Sequence, residues 1–308
     1  MGSEPFIRLS PVFKDYLWGG KRLKPLCGAG GGQAAEAWLL SAHPDGESTI
    51  AEGNFQGTAF SQYLRARGQT GPFPILVKLI DAAQTLSVQV HPGDAYARVH
   101  ENDNGKNELW LVLESAPGAY LYVGFQRDVT REEVARRVTD GTIEEVLHKV
   151  PTHAGDAVFI PAGTVHAIGA GNLILEIQQS SNATYRLYDY KRPGADGKLR
   201  PLHLDKALDV LDYRAYAGAA GGPKPETGEL ARCPYFNVFR YALHGEPFAL
   251  PVPAGSFASV VCIGGTGTLL RGGAQTALRT ADSLYLPAGE AQTEIRGDLQ
   301  IVVTCAAP

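Results

Sequence analysis

Cysteine is scarce in this chain. There are four, Cys27, Cys233, Cys262 and Cys305, and no two stand in C-x-x-C spacing. This argues against a cysteine zinc site, and each thiol is expected to serve as a small buried hydrophobe. Charge is sparse as well: Asp, Glu, Lys and Arg make up 19% of the residues and the net charge is -4. The basic surface that a nucleic-acid partner favours is therefore missing, and no such partner is expected. No apolar run approaches the ~18 residues of a membrane helix. The opening MGSEPFIRLS has no apolar signal core, and Phe6 stands where the myristoylation pattern needs Ser or Thr. Asn182-Ala-Thr184 matches a glycosylation sequon, which without a secretory signal is expected to be chance. A cytoplasmic protein without a membrane partner is the expectation.

What is present is apolar and turn-rich. Hydrophobic residues make up 44% of the 308, enough for a packed core, and 36 Gly with 20 Pro fit many turns. Length suggests about two domains. Short β-rich runs recur: PILVKLI, LSVQV, ELWLVLE, AYLYVGF, AVFIPA, LILEIQQ and YRLYDY, then FNVFRYALH, FASVVCIGG, SLYLPA and LQIVVTC. Bounded by Gly, Pro, Asn or Asp, they carry the signature of a sandwich or barrel. Helical patterns are few. Thr130-Arg-Glu-Glu133 and Thr142-Ile-Glu-Glu145 are capping boxes predicting helices over REEVARRV and EEVLHKV, and Leu204–Tyr213 has helical periodicity. The Gly/Pro-rich stretch from Ala217 to Leu230 reads as an interdomain connection.

A weak internal repeat divides the chain. Residues 154–166 read AGDAVFIPAGTVH and residues 280–292 read TADSLYLPAGEAQ. In each, a strand enters, Pro ends its pairing and Gly permits the turn into the next strand. Two similar barrels are the economical reading. The third residue after that Gly is His166 in the first copy and Gln292 in the second, so a metal is expected in the first barrel only.

The segment G-DAVFI-P-A-G-TV-H over residues 155–166 matches the second motif of the cupin superfamily, G-x5-P-x-G-x2-H. It resembles a metal cupin and implies a jelly-roll barrel with His166 pointing into the lumen. Upstream, LSVQVHP places Ser87, Gln89 and His91 on one face of a strand, with the Gln89 and His91 Cα atoms roughly 6–7 Å apart. Glu108 in GKNELW heads the next strand and offers an anionic oxygen. Two His, one Glu and an amide oxygen make a set that suits zinc with an open position. Taken singly, a histidine is more often a solvated or hydrogen-bonded imidazole, and His43, His100, His148, His153, His203 and His244 are left as structural.

LSVQVHP, GKNELW, PAGTVHAIG and LEIQQSSNATYRLYDY resemble the type I mannose-6-phosphate isomerases, closest to the short bacterial form. YLWGGKRL, FPILVKLIDA and LHLDKALDV extend the resemblance from about residue 12 to about residue 212. The resemblance implies a mainly β fold of two cupin (jelly-roll) barrels with a few short helices. It would comprise a catalytic metal-binding cupin domain over 1–216, a linker over 217–234 and a degenerate cupin-like domain over 235–308. It implies one Zn2+ per chain on Gln89, His91, Glu108 and His166, with Arg186, Lys106 and Glu176 as catalytic residues. Lys78 and Ser87 would line the pocket of a small sugar-phosphate substrate. Two features depart from the long forms: there is no room for their helical insertion, and Ile168 stands where they carry Tyr.

Aldose–ketose isomerisation moves a proton between C1 and C2 through an enediolate, which needs a base, an electrophile and a phosphate anchor. Arg186 carries a permanent charge and a planar fork suited to an oxyanion or phosphate, unless it is spent on an ion pair with Asp189. Glu176 and Lys106 are both candidates for the base, and Lys106 is equally a partner that orients Glu108. Two other readings stand beside this one. Two His and a carboxylate also suit an iron cupin doing oxygen chemistry, and a sugar-binding cupin without catalysis would need no base.

Overall fold

The computed structural model describes residues 4–194, 197–218, 222, 224–289 and 291–307. Each β-rich run named above forms a strand, and the fold is mainly β. In the N-terminal half a pair of antiparallel sheets oppose each other. One runs, in spatial order, Ala157–Ile160, Glu108–Ser115, Asn172–Gln179, Ile75–Asp81, Glu36–Leu40, Val12–Lys14; the other runs Leu147–Pro151, Tyr120–Phe125, His166–Ile168, Val88–Val90, Tyr185–Tyr188. Alternation along the strands drives their packing. Ile80, Trp110, Val112, Val158 and Ile174 of the first sheet meet Leu121, Val123 and Ile168 of the second in one buried cluster. Each such side chain contributes about 1.5–3 kcal/mol when fully buried.

The outer face of the five-stranded sheet is covered by helices Arg131–Asp140 and Leu204–Val210, whose Val134, Val138, Ala207 and Leu208 pack on Val88, Val90 and Leu187. The first of these begins as the sequence predicts, with the Thr130 side chain accepting the Glu133 N–H. The second capping box fails. Ile143–Val146 is a single 3-10 turn without a side-chain cap, and Leu147–Pro151 becomes a strand along Tyr120–Phe125. There, edge pairing and burial of Leu147 outweigh local helical preference. Helices Leu23–Leu26, Phe60–Ala66 and Asp94–His100 have no counterpart among the helical patterns named above. No helix among the described residues is long and apolar enough to cross a membrane.

The C-terminal half supplies seven strands of a nine-stranded sheet, completed by Ile7–Ser10 and Thr49–Ile50, and has its own buried cluster, including Leu243, Val260, Leu284, Ile295 and Ile301. Both copies of the repeat form the expected hairpin entry, a strand ending at Ile160 or Leu286 before Pro-Ala-Gly; Glu290 of the second copy lies outside the described residues. Of the expected linker, residues 219–221 and 223 also lie outside them, while Gly228–Arg232 forms a strand paired to Phe236–His244. Strand Ile7–Ser10, from the start of the chain, pairs with Ser283–Leu286 in this sheet. A fourth cluster joins the halves: Val77, Leu79, Leu109, Leu111, Leu175 and Ile177 of the six-stranded sheet pack with Phe236, Val238, Val261 and Val302.

Candidate active site

Three charged residues of the six-stranded sheet, Lys78, Glu108 and Glu176, share its inner face by register. Lys78 stands opposite Trp38 on one side and Glu176 on the other, and Glu176 stands opposite Trp110. The apolar neighbours at odd parity go outward, so Val77-Lys78-Leu79 and Leu175-Glu176-Ile177 each send one charged side chain into the lumen, and Glu108-Leu109-Trp110 sends two. Glu108, two residues before Trp110, follows the same parity and is fully buried. Gly105 lets this segment run close under helix Asp94–His100, because a Cβ there would sit 2.4 Å from the Asp94 backbone nitrogen. Asn107 ties the segment to the Pro-Ala-Gly turn by accepting the Ala162 N–H at 3.0 Å.

The opposing sheet supplies a second row, with His166 paired to Gln89 and Gln89 to Arg186. His91 follows directly on strand Val88–Val90, and its carbonyl accepts the Gly163 N–H at 2.9 Å. The two rows meet at His91, Glu108 and His166, whose ligand atoms all lie within 4.8 Å of one another. The two imidazole Nε2 atoms are 3.1 Å apart, and each is 3.4 Å from a Glu108 oxygen. Behind each ring, Nδ1 lies against a backbone carbonyl: Ala183 O at 2.9 Å for His91, Thr164 O at 2.8 Å for His166. A carbonyl only accepts, so each Nδ1 carries the proton and each Nε2 turns its lone pair inward, the orientation of a metal ligand.

Electrostatics agree with that geometry. Burial, reinforced by the nearby Lys106 ammonium, pushes the His91 imidazole down to about 4. Burial also lowers His166. For Glu108 burial opposes ionisation, but the Lys106 charge and His91 outweigh it and hold the carboxyl well below its ordinary value. Near neutral pH the cluster is therefore two neutral imidazoles and a carboxylate. Neither Glu108 oxygen accepts a well-aligned hydrogen bond among the described residues, although the Lys106 ammonium stands 2.9 Å from Oε2. Inward lone pairs around an under-satisfied buried carboxylate fit a divalent cation. The Gln89 amide reaches His166 Nε2 at 3.3 Å, so a turn of the amide brings its oxygen to the same centre.

A cavity of about 260 Å3 adjoins the cluster, and Gln89, Lys106, Glu176, Lys78, Ser87 and Arg186 line it. Lys106 bridges the His/Glu/His cluster and the cavity, 3.1 Å from His91 Nε2 and 3.4 Å from Glu176 Oε1. Lys78 lies 3.1 Å from Glu176 and 3.6 Å from Glu36. Burial alone would lower the Lys78 ammonium, but Glu176 and Glu36 together raise it. Arg186 donates to Pro201 O at 2.8 Å and pairs with no carboxylate among the described residues. The partner considered for it, Asp189, is instead held by Arg200 and Arg192. A larger cavity of about 770 Å3 lies elsewhere, bounded by Phe159, Tyr216 and Leu230, but it gathers no comparable cluster of titratable groups.

Other residues at the cavity escaped the sequence reading: Tyr16, Trp18, Glu36, Asn182, Thr184 and Arg200. For Glu36 a signal existed, a lone carboxylate in the apolar run AAEAWLL. Unbroken parity along YRLYDY would put Tyr188 and Tyr190 on the Arg186 side, yet a bulge between Arg186 and Tyr188 shifts the register. Both tyrosines consequently join the outer cluster under the helices.

Opposed antiparallel sheets holding a His/Glu/His cluster beside a cationic cavity define a protein of the cupin class with a candidate metal site. Residues 6–120 match the family model of the phosphomannose isomerase type I catalytic domain, and residues 226–306 that of the mannose-6-phosphate isomerase cupin domain. The chain is 35% identical over 314 residues to mannose-6-phosphate isomerase of Streptococcus mutans, covering 98% of each protein. It is also 35% identical to mannose-6-phosphate isomerase ManA of Bacillus subtilis, covering 99% of each. A crystal structure of the mannose 6-phosphate isomerase from Bacillus subtilis superposes with a TM-score of 0.85 at 29% identity, covering 98% of this chain and 99% of that one. The chain therefore belongs to the type I mannose-6-phosphate isomerase family and is an isomerase.

Proposed function

We propose that the cavity converts mannose 6-phosphate and fructose 6-phosphate into one another, with one zinc ion per chain held by His91, Glu108, His166 and the Gln89 amide. We assign the reaction to a cytoplasmic catalytic unit spanning residues 1–216, connected through 217–234 to a metal-free cupin unit over 235–308, whose sheet also takes in the strands Ile7–Ser10 and Gly228–Arg232. The observation that carries the reading is the continuity of a neutral-imidazole and carboxylate cluster with a cavity that holds a carboxylate between two ammonium groups. The donors, two imidazole nitrogens and oxygens of a carboxylate and an amide, suit zinc. When bound, the ion supplies a Lewis acid for the substrate oxygens.

The chain's own groups do the rest. Glu176 takes the proton from C2 of the aldose and returns it to C1, while the proton on O2 passes to O1, so no atom is gained or lost. Its Oε1 is the suited atom, because it accepts no well-aligned hydrogen bond among the described residues. Lys106 and Lys78 keep that carboxylate in place and balance the negative charge of the enediolate. Ser87 and Arg186 line the substrate cavity, and Arg186, free of a carboxylate partner among the described residues, grips the phosphate.

The test is a coupled assay of mannose 6-phosphate conversion on purified protein, with and without a chelator, alongside metal analysis. Conversion that chelation abolishes and zinc restores is expected. Metal-loaded protein that leaves mannose 6-phosphate unchanged refutes the activity, and activity restored by ferrous iron but not zinc refutes the metal.

A further inference from the structure

The two oxygens of the Glu176 carboxylate have separate partners. Oε1 faces the ammonium groups of Lys78 at 3.1 Å and Lys106 at 3.4 Å, whereas Oε2 accepts the indole N–H of Trp110 at 3.0 Å. An indole only donates, so Trp110 cannot take up the transferred proton. Nor is it free to follow a turning carboxylate. It is the cross-strand partner of Glu176, it is buried, and its ring stands edge-on to the His166 imidazole with centroids 5.3 Å apart. Trp110 thus touches both the carboxylate that faces the cavity and an imidazole of the metal cluster.

We propose that Trp110 is a positioning residue: its indole N–H holds Oε2 so that Oε1 of Glu176 stays turned into the cavity, a contribution to turnover and not to substrate or metal binding. The proposal rests on the isomerase reading of this cavity. The physical reason lies in the carboxylate's last torsion, which has no steep staggered wells. Without a fixed donor on one side, two nearby ammonium groups can draw either oxygen, and the orientation required for proton transfer is held only part of the time. The buried surroundings strengthen the single bond that prevents this. The same device occurs at the other end of the row, where Trp38 donates to Glu36 Oε2 at 2.6 Å.

The experiment compares zinc-loaded wild type, Trp110→Phe, Glu176→Gln and the double variant with mannose 6-phosphate as substrate, and measures zinc content on the same samples. Phenylalanine keeps an aromatic ring on the inner face and removes the donor. Loss of a hydrogen bond to a charged group should lower kcat about 10- to 100-fold. KM should stay within about threefold and zinc at one per chain, as expected for an interaction realised in the transition state. In the Glu176→Gln background the same substitution should cost less than about threefold, because its effect runs through the carboxylate. Unchanged kcat in Trp110→Phe, parallel losses of KM, zinc and kcat, or an equal loss in both backgrounds each overturn the proposal. If Glu176→Gln has no measurable turnover, the kcat, KM and zinc values of the single variant decide. A wild type that does not isomerise mannose 6-phosphate overturns the functional reading and this proposal with it; an active wild type beside an unaffected Trp110→Phe overturns the proposal alone.

Discussion

Replacing Lys78 by methionine tests the charge balance of the cavity wall. The side chain is 6% exposed and stands between Glu176 and Glu36, at 3.1 Å and 3.6 Å. Methionine fills similar volume, so packing is largely kept, but two buried carboxylates lose their shared cation. The losses are unequal. Glu176 retains Lys106 at 3.4 Å and the Trp110 donor, whereas Glu36 is left with the indole of Trp38. Breaking a buried pair costs about 3–5 kcal/mol, and the residual partners of Glu176 place this case near the lower end, about 3 kcal/mol. At ~2–4 °C per kcal/mol that is roughly 6–12 °C in Tm. The same reasoning says what should restore stability: Glu36→Gln, added to Lys78→Met, removes the more poorly compensated charge while its amide oxygen still accepts from Trp38, and should recover at least half of the loss. The wild type should show the linkage directly. Because the folded Lys78 pKa lies above its ordinary value, its share of stability is complete below about pH 10 and fades as the pH rises further. Calorimetry or circular-dichroism melts at neutral pH measure the first two effects. A Tm for Lys78→Met within about 2 °C of wild type, or a further drop in the double variant, would refute this account of the wall.

Three further expectations concern the metal and the cavity. His166→Ala should lose bound zinc under metal-limited conditions while its far-ultraviolet spectrum stays native, since the sheets pack through apolar side chains; full zinc occupancy would rule out His166 as a ligand. Arg186→Ala and Arg186→Lys should both keep zinc yet lose turnover on the order of 10²-fold, because the grip on the phosphate also orients the reacting carbons, and lysine retains the charge without the planar fork. Near-wild-type kinetics in Arg186→Ala would remove this residue from the site. Metal-free protein should lose stability as pH falls from the ordinary histidine value of 6.5 toward about 4, since His91 protonates more readily when unfolded than when buried. A Tm that is flat across that window in the metal-free protein contradicts the buried, neutral imidazole.

The inner face of the site was legible because strand parity is rigid. Once Glu108, His91 and His166 fell on β-rich runs, period two settled which neighbours shared their side, and the structure brings them together. Parity failed where the backbone broke its own rule, at the bulge after Arg186, since a single extra residue leaves no mark in composition. Glu36, Trp18 and Arg200 escaped for another reason. They come from separate stretches of the chain, and only sheet order carries the Glu36–Leu40 strand beside Ile75–Asp81. The pairing of Asp189 with Arg192 and Arg200, and not with Arg186, is likewise a matter of loop path that no local spacing reveals. Thr142 shows the opposite failure: a sound local signal overruled by a neighbouring strand.

The outward side of the six-stranded sheet has a consequence for how the two halves can change. Glu108 and Trp110 face the opposing five-stranded sheet, while Leu109 and Leu111 between and beyond them are pressed against the C-terminal sheet. Each of these strands thus answers to two masters in alternate residues, chemistry on one side and a neighbour's hydrophobic surface on the other. The half whose motif ends in Gln292 brings no His there, yet it is the mould against which the reactive half is cast. Repacking around Phe236, Val238 or Val302 would tilt the strands that carry Lys78, Glu108 and Glu176 without touching any of them. On the proposed assignment of the reaction to the N-terminal half, the packing that shapes its reactive wall is therefore set partly from the other half.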